Sequence, residues 1–266
     1  MIVKIVVCIK WVPDPEAPAA AFSVQGSGGV RVADYVPRMF GAYDENAVEA
    51  ALQIKDRDGS EVVLLCLGPG SIEESLREAL GTGAGMAVLL DQEGYEGADS
   101  YGVARVLAEA IKRIGGVDLV MCGRQASDTD AGITGPALAE ILGFSCATVA
   151  KTVALENNLL YVEQGEDDQI RKTELELPAV VTVTSENFSI RYATMPNIMA
   201  AMEKEVLVWG PQEVGISGES PAENSLTVCL GSEIPDNEIN CLIIDGQNEE
   251  EKSANLVKRL TADKVL

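Results

Sequence analysis

The chain has 266 residues, 47% hydrophobic but only 5% aromatic, so Val, Ile, Leu and Ala must pack its core. A formal net charge of −22 argues against nucleic acid and anionic membrane surfaces, which are held by clustered Lys and Arg. There is no histidine, which removes Ser-His-Asp triads and every His-based acid–base or metal site.

Ile2–Ile9 is a short β-branched run that predicts a strand buried on both faces. A long loop rich in Gly, Ala and Pro follows over 12–41. Asp44–Asp56 carries apolar residues at helical spacing, with Asp44 as its N-cap. Glu61–Leu67 is a second buried strand. Ser71–Leu80 reads as a helix opened by a capping box of Ser71 and Glu74. After a glycine break come a third strand, Met86–Asp91, and an amphipathic helix, Asp99–Ile114. Val117–Cys122 is a fourth strand, followed by a polar loop and a helix through Leu142.

Strands alternating with helices predict an α/β fold with a parallel sheet covered on both sides. The pattern then changes. Thr148–Leu155, Leu159–Gln164 and Ala179–Thr184 read as strands with little helix between them; they extend the sheet or form an antiparallel flap at its edge. Pro196–Lys204 is a short helix. The expected division is 1–209 as the α/β domain and 210–266 as a C-terminal arm, too small to build a core alone. Within the arm, Leu226–Leu230 predicts a strand and Glu249–Leu260 a helix.

The six cysteines, at 8, 66, 122, 146, 229 and 241, show no C-x-x-C spacing, so no metal site is expected. Cys8, Cys66 and Cys122 fall near strand ends, as free buried thiols do in a reducing compartment. The first residues lack the basic region and long apolar stretch of a signal peptide, and no run approaches the roughly 20 apolar residues of a membrane span. A cytoplasmic protein without membrane insertion is expected.

The most informative segment is Val120–Gly143, VMCGRQASDTDAGITGPALAEILG. A loop of this kind at the carboxyl end of a strand is where open α/β sheets bind ligands, and a helix N-terminus can hold a phosphate. Gly123 and Gly132 give the backbone a sharp turn and a close approach, Thr134 can cap the helix, and Gly135 and Pro136 occupy its first turn. Taken alone it is also an ordinary capping loop. It is neither a Walker loop nor a G-x-G-x-x-G fingerprint. Cys8-Ile9-Lys10 and Cys66-Leu67-Gly68-Pro69 end at the same sheet edge and, with the loop, make three walls of a crevice. A second unusual segment, Ser189–Met199, gathers a cation, an aromatic and several large apolar residues around a proline; Met-rich exposed segments make adaptable docking surfaces.

Six ordered motifs resemble the β subunit of electron-transferring flavoproteins: VCIKWVPD at 7–14, DENAVEAAL at 44–52, CLGPGSIEESLREAL at 66–80, CGRQASDTDAGITGP at 122–136, ELPAVVTV at 176–183 and RYATMPNIMAA at 191–201. The resemblance spans nearly the whole chain. It implies a Rossmann-like, adenine-nucleotide α-hydrolase-like sheet and a heterodimer with an α subunit carrying the redox-active FAD. It implies electron transport between dehydrogenases, such as acyl-CoA dehydrogenase, or NADH and an acceptor. The β pocket holds structural AMP in ordinary members and a second FAD, reduced by NADH, in electron-bifurcating ones. Only in the second case would the complex oxidise NADH. The residues matching that pocket are Cys8, Ile9, Asn46, Cys66, Gly123, Arg124, Gln125, Ala126, Ser127, Asp128, Asp130, Gly132, Ile133 and Thr134. Arg191, Tyr192, Ala193, Thr194, Met195, Pro196, Asn197, Ile198 and Met199 match the loop that docks partner dehydrogenases, with Met195 where an anchoring Leu is usual. The tail from Gly210 matches an arm that wraps the α subunit.

The opening GRQA, the GP helix start and GADSYG at 97–102 match bifurcating members, whereas DENAVEAA is closer to ordinary ones. AMP and FAD both stay open at this stage. With a flavin bound, Arg124 is the candidate cation to stabilise its anionic forms. A stand-alone nucleotide domain of universal-stress type is the alternative reading; it leaves the chain beyond Ala147 without a purpose.

Overall fold

The computed structural model describes residues 2–25, 29–91, 95, 97–166, 169–184, 187–216, 222, 225–235 and 241–265. In chain order the elements are β1 (Lys4–Ile9), β2 (Trp11–Pro13), β3 (Phe22–Val24), β4 (Val30–Val32), β5 (Arg38–Phe40), α1 (Ala42–Asp58) and β6 (Glu61–Gly68). Next come α2 (Glu73–Ala79), β7 (Met86–Asp91), α3 (Ser100–Ile114), β8 (Leu119–Gly123), α4 (Thr134–Leu142), β9 (Ser145–Glu156) and β10 (Leu159–Glu166). The chain continues through β11 (Gln169–Glu176), β12 (Ala179–Val183), α5 (Met195–Glu203) and β13 (Val206–Trp209) to α6 (Glu249–Ala262).

Nine strands form one sheet in the order β11-β10-β9-β12-β8-β1-β6-β7-β13. From β9 to β13 every neighbouring pair is parallel; β9, β10 and β11 pair antiparallel. Of the four strands after α4, β12 and β9 thus extend the parallel sheet, while β9, β10 and β11 leave it as an antiparallel ribbon. The switch is made within β9, whose register shifts where it passes from β12 to β10. There Val149 takes φ 58°, unusual for a β-branched residue, and its N–H is met by Thr182 Oγ1 at 2.9 Å.

The central strands are apolar without interruption because both faces are covered. Ile5, Val7 and Ile9 of β1 pack with α1, α2 and the α5 side; Val6 and Cys8 pack with α3 and α4. Val214 is buried in this second layer, so packing of the main body runs past residue 209.

Several sequence expectations are corrected. The 12–41 stretch is not all loop: β2 pairs β5 and β3 pairs β4 as two small ribbons, with Trp11 edge-on to Phe40 at 4.8 Å. These strands are too short and too Gly/Pro-punctuated to show a period. Asp44 does not cap α1, which starts two residues earlier after Gly41. Ser71 does not cap α2: Pro69 sets a 3₁₀ turn over Gly70–Ile72, and the helix begins at Glu73 with no side-chain cap. Likewise α4 starts at Thr134 itself, so Thr134 lies inside the helix and caps nothing. Leu226–Leu230 forms no strand with any described residue. By contrast Asp99 is the N-cap of α3, its side chain accepting from Gly102 N at 2.9 Å.

Candidate functional site

The chain runs β1, β6, β7 to one side and then returns to place β8 on the other side of β1. That reversal is a topological switch point, and a crevice is expected outside the carboxyl ends of β1 and β8. A cavity of about 600 Å³ lies there. Its floor is Cys8 and Cys122, register partners on adjacent strands. One wall is Arg124–Ala126 with Ala131–Gly135, and the facing wall is Ala98–Tyr101 with Val103 and Leu107. Ile9, Lys10 and Leu67 border it from the strand ends, Asp44 from the first turn of α1, and Leu226 and Thr227 from the C-terminal tail.

The nucleotide-type loop is built by local bonds. Arg124 N donates to Val183 O at 2.8 Å, tying the loop base to β12. Asp130 N donates to Ala126 O at 2.8 Å, and Gln125 Nε2 to Asp130 Oδ1 at 2.9 Å. Asp130 and Gly132 have φ of 48° and 63°, which turns the chain back toward α4. No side chain among the described residues caps α4, so the Thr134 and Gly135 amides at the cavity wall are available to an anion.

Asp44 holds the crevice in shape. Its Oδ2 accepts from Lys10 N at 2.8 Å and its Oδ1 from Gly123 N at 3.1 Å, stitching α1 to the ends of β1 and β8. Burial pushes its carboxyl up to about 7 from an ordinary 3.8, against the pull of those two amides and of the Lys10 charge. Gly123 is required here, since a Cβ would stand 2.8 Å from Asp44 N and Tyr43 C. Burial likewise raises Cys66, while Cys122 is raised by its bond to Cys8 and by burial. These thiols are inert rather than nucleophilic.

The structure brings most of the sequence candidates together and leaves some outside. Cys8, Ile9, Gly123, Arg124, Gln125, Ala126, Gly132, Ile133 and Thr134 all line the cavity. Ser127, Asp128 and Asp130 belong to its loop without lining it; Asp128 pairs with Lys10 Nζ at 2.7 Å. Asn46 and Cys66 lie elsewhere. Cys66 belongs to the layer on the α1 face, and Asn46 Nδ2 donates to Phe188 O while its buried Oδ1 has no partner among the described residues. Sequence reasoning missed Asp44 and the Asp99–Tyr101 wall as cavity residues, although the latter sits inside GADSYG. Nothing in the local sequence marks Leu226 and Thr227.

The second segment lies apart, over the turn after α2. Arg191 is pinned to α1: its Nε and Nη2 donate to Glu49 at 2.9 and 3.0 Å, and Nη1 to Asp56 at 2.7 Å. Beyond it Tyr192, Met195, Met199 and Met202 are exposed, while Ala193 and Ile198 rest on Gly81. The far end of α5 is tied down by Lys204, whose Nζ donates to Ala84 O at 2.6 Å. Ala193, Thr194, Pro196 and Asn197 complete this knob.

Among the described residues no three potential ligands gather as a metal site, and no helix is long and apolar enough to cross a membrane.

Comparison with known proteins agrees with this architecture. Residues 30–214 match the model of the electron transfer flavoprotein domain. The chain is 32% identical to the caffeyl-CoA reductase-Etf complex subunit CarD of Acetobacterium woodii over 99% of this chain and 100% of that protein. It is 33% identical to the electron transfer flavoprotein subunit beta of Clostridium acetobutylicum over 80% of each. Protein FixA of Azorhizobium caulinodans is 34% identical over 80% of this chain and 76% of its own length. Full-length similarity of this kind sets aside a stand-alone stress-type domain. The chain belongs to the β-subunit family of the electron transfer flavoproteins.

Proposed function

We propose that this chain is the small subunit of a cytoplasmic heterodimeric electron carrier and that its cavity binds FAD. The observation that carries the reading is the cavity of about 600 Å³ at the β1/β8 switch point, which lies within the roughly 300–1,000 Å³ of small-molecule sites. It runs from the uncapped N-terminus of α4 to the N-terminus of α3, more room than a mononucleotide fills.

The residues present fit such a group. The Thr134 and Gly135 amides receive a phosphate. Arg124 makes no ion pair with a described residue and stands at the cavity wall, in a chain with only 20 basic residues against 42 acidic ones. Cys8, Cys122, Val103 and Leu107 supply a dry surface. A bound flavin supplies hydride acceptance and one-electron release; the protein supplies position, charge and exclusion of water. In this reading Asn46 and Cys66 shape the opposite face of the sheet and touch no ligand, Tyr192 through Met199 docks a partner dehydrogenase, and the tail, apart from its return to the cavity at Leu226 and Thr227, packs on the α subunit. That one relative is named as part of a caffeyl-CoA reductase complex supports an assembly of this type.

Acid release of nucleotides from the complex co-expressed with its α subunit tests the reading. Two FAD per heterodimer are expected. One FAD and one AMP would make the cavity a structural AMP site, and no nucleotide would remove the assignment.

A further inference from the structure

The tail does not simply leave the domain. Three donors from it converge on one oxygen of Asp99: Leu226 N at 2.8 Å, Thr227 N at 2.9 Å and Thr227 Oγ1 at 2.9 Å, all on Oδ2. Asp99 N in turn donates to Ser225 Oγ at 2.9 Å. The other carboxylate oxygen stays on Gly102 N and caps α3. Asp99, Leu226 and Thr227 all line the cavity. Just beyond, Val228 and Leu230 stand out in solvent. One carboxylate therefore holds a helix start with one oxygen and a strap of tail with the other, across the same cavity.

We propose that Ser225–Thr227 is a strap that retains the nucleotide, that Leu226 and Thr227 contact it, and that Asp99 is the positioning residue that holds the strap. The proposal rests on the reading of the cavity as a nucleotide site. Because strap and ligand share one wall, closing the strap favours ligand retention and the ligand favours a closed strap, by the same factor. Charge-assisted bonds to a carboxylate are the stronger kind, so they can hold an otherwise exposed segment. Anything that draws the tail outward at Val228 and Leu230 then loosens the nucleotide.

Thr227→Pro tests this without touching the α3 cap, since it removes both the N–H and the hydroxyl donor; Thr227→Val removes only the hydroxyl. Release of radiolabelled AMP and of radiolabelled FAD from the full-length protein, alone and with the α subunit, is chased with excess unlabelled ligand. Release is expected to quicken about tenfold in Thr227→Pro and less in Thr227→Val. Ligand is expected to protect the bond after Leu230 from chymotrypsin in the parent protein but not in Thr227→Pro; this bond is read because the new proline itself blocks cleavage after Leu226. Unchanged release from a Thr227→Pro protein whose tail is cut faster would show that the strap has no part in retention and overturn the proposal. Failure of the parent protein to hold either nucleotide would instead overturn the cavity assignment, and the strap with it.

Discussion

Asp44 is surrounded by backbone amides and apolar side chains, and the balance between them decides its charge. Desolvation wins over the Lys10 and Gly123 amides and the Lys10 ammonium, while Asp128 adds a like charge, so the carboxyl keeps its proton to about pH 7. The folded state then binds more protons than the unfolded chain between its ordinary 3.8 and about 7. Stability from this group is therefore full below pH 3.8 and is lost as pH rises to about 7. Chemical denaturation across that range should show the decline in the parent protein and a flatter profile in Asp44→Asn. A parent profile with no Asp44-dependent decline would mean that the carboxylate is ionised throughout. The role of Asp44 was not legible in the sequence, where it reads as a helix cap. Its partners lie 34 and 79 residues away, and no local pattern announces a bond of that span. Gly123 was legible as a turn residue, but the crowding by Tyr43 and Asp44 that demands it was not.

At the scale of elements, α1 serves two sites with one helix. Its first turn closes the cavity through Asp44, and Glu49 and Asp56 further along it hold Arg191 at the root of the exposed knob. Glu49 is pushed up by burial yet held below the usual carboxylate range by the donors of Arg191 and Gln53. Arg191→Met would remove the guanidinium and leave that buried carboxylate with two neutral donors, the Gln53 amide and the backbone N–H of residue 191. A cost of about 2 kcal/mol is expected, because the penalty lies in the uncompensated charge. Adding Glu49→Gln should recover much of it, and a double-mutant cycle in urea checks the coupling. A negligible cost for Arg191→Met alone would show the pair to be solvated. The long apolar strands β1, β6, β7 and β8 were legible because both faces are covered, so the run itself is the signal. β11 was not: Gln169–Glu176 has almost no buried side and so carries no period. Nor was the bulge at Val149, since nothing in a β-branched residue suggests φ 58°.

For the whole molecule, exposure divides the six thiols evenly. Cys8, Cys66 and Cys122 are buried in the two layers flanking the sheet; Cys146, Cys229 and Cys241 are exposed. In the isolated chain three thiols should react quickly with a maleimide and three only on unfolding, as counted by mass spectrometry. Pairing with the α subunit should protect Cys229 and Cys241 if the tail packs on it, while Cys146 reports on the β9 end of the sheet. The tail's lack of a core of its own was legible from composition. Its return to the cavity at Leu226 and Thr227 was not, since that contact depends on Asp99, more than a hundred residues earlier.

The sheet also ends somewhere, and how it ends affects how the protein behaves in concentrated solution. Among the described residues β11 is the outermost strand on one side, with one row of backbone donors and acceptors facing no neighbour. Such a row is a template on which another chain can add. Here it is lined by Arg171, Lys172, Glu174 and Glu176, with Lys172 already paired across to Glu163 at 2.8 Å. A second copy approaching in register would have to desolvate these charges and set like against like. The same polarity that hid β11 from pattern reading thus disfavours the addition of another strand at this edge.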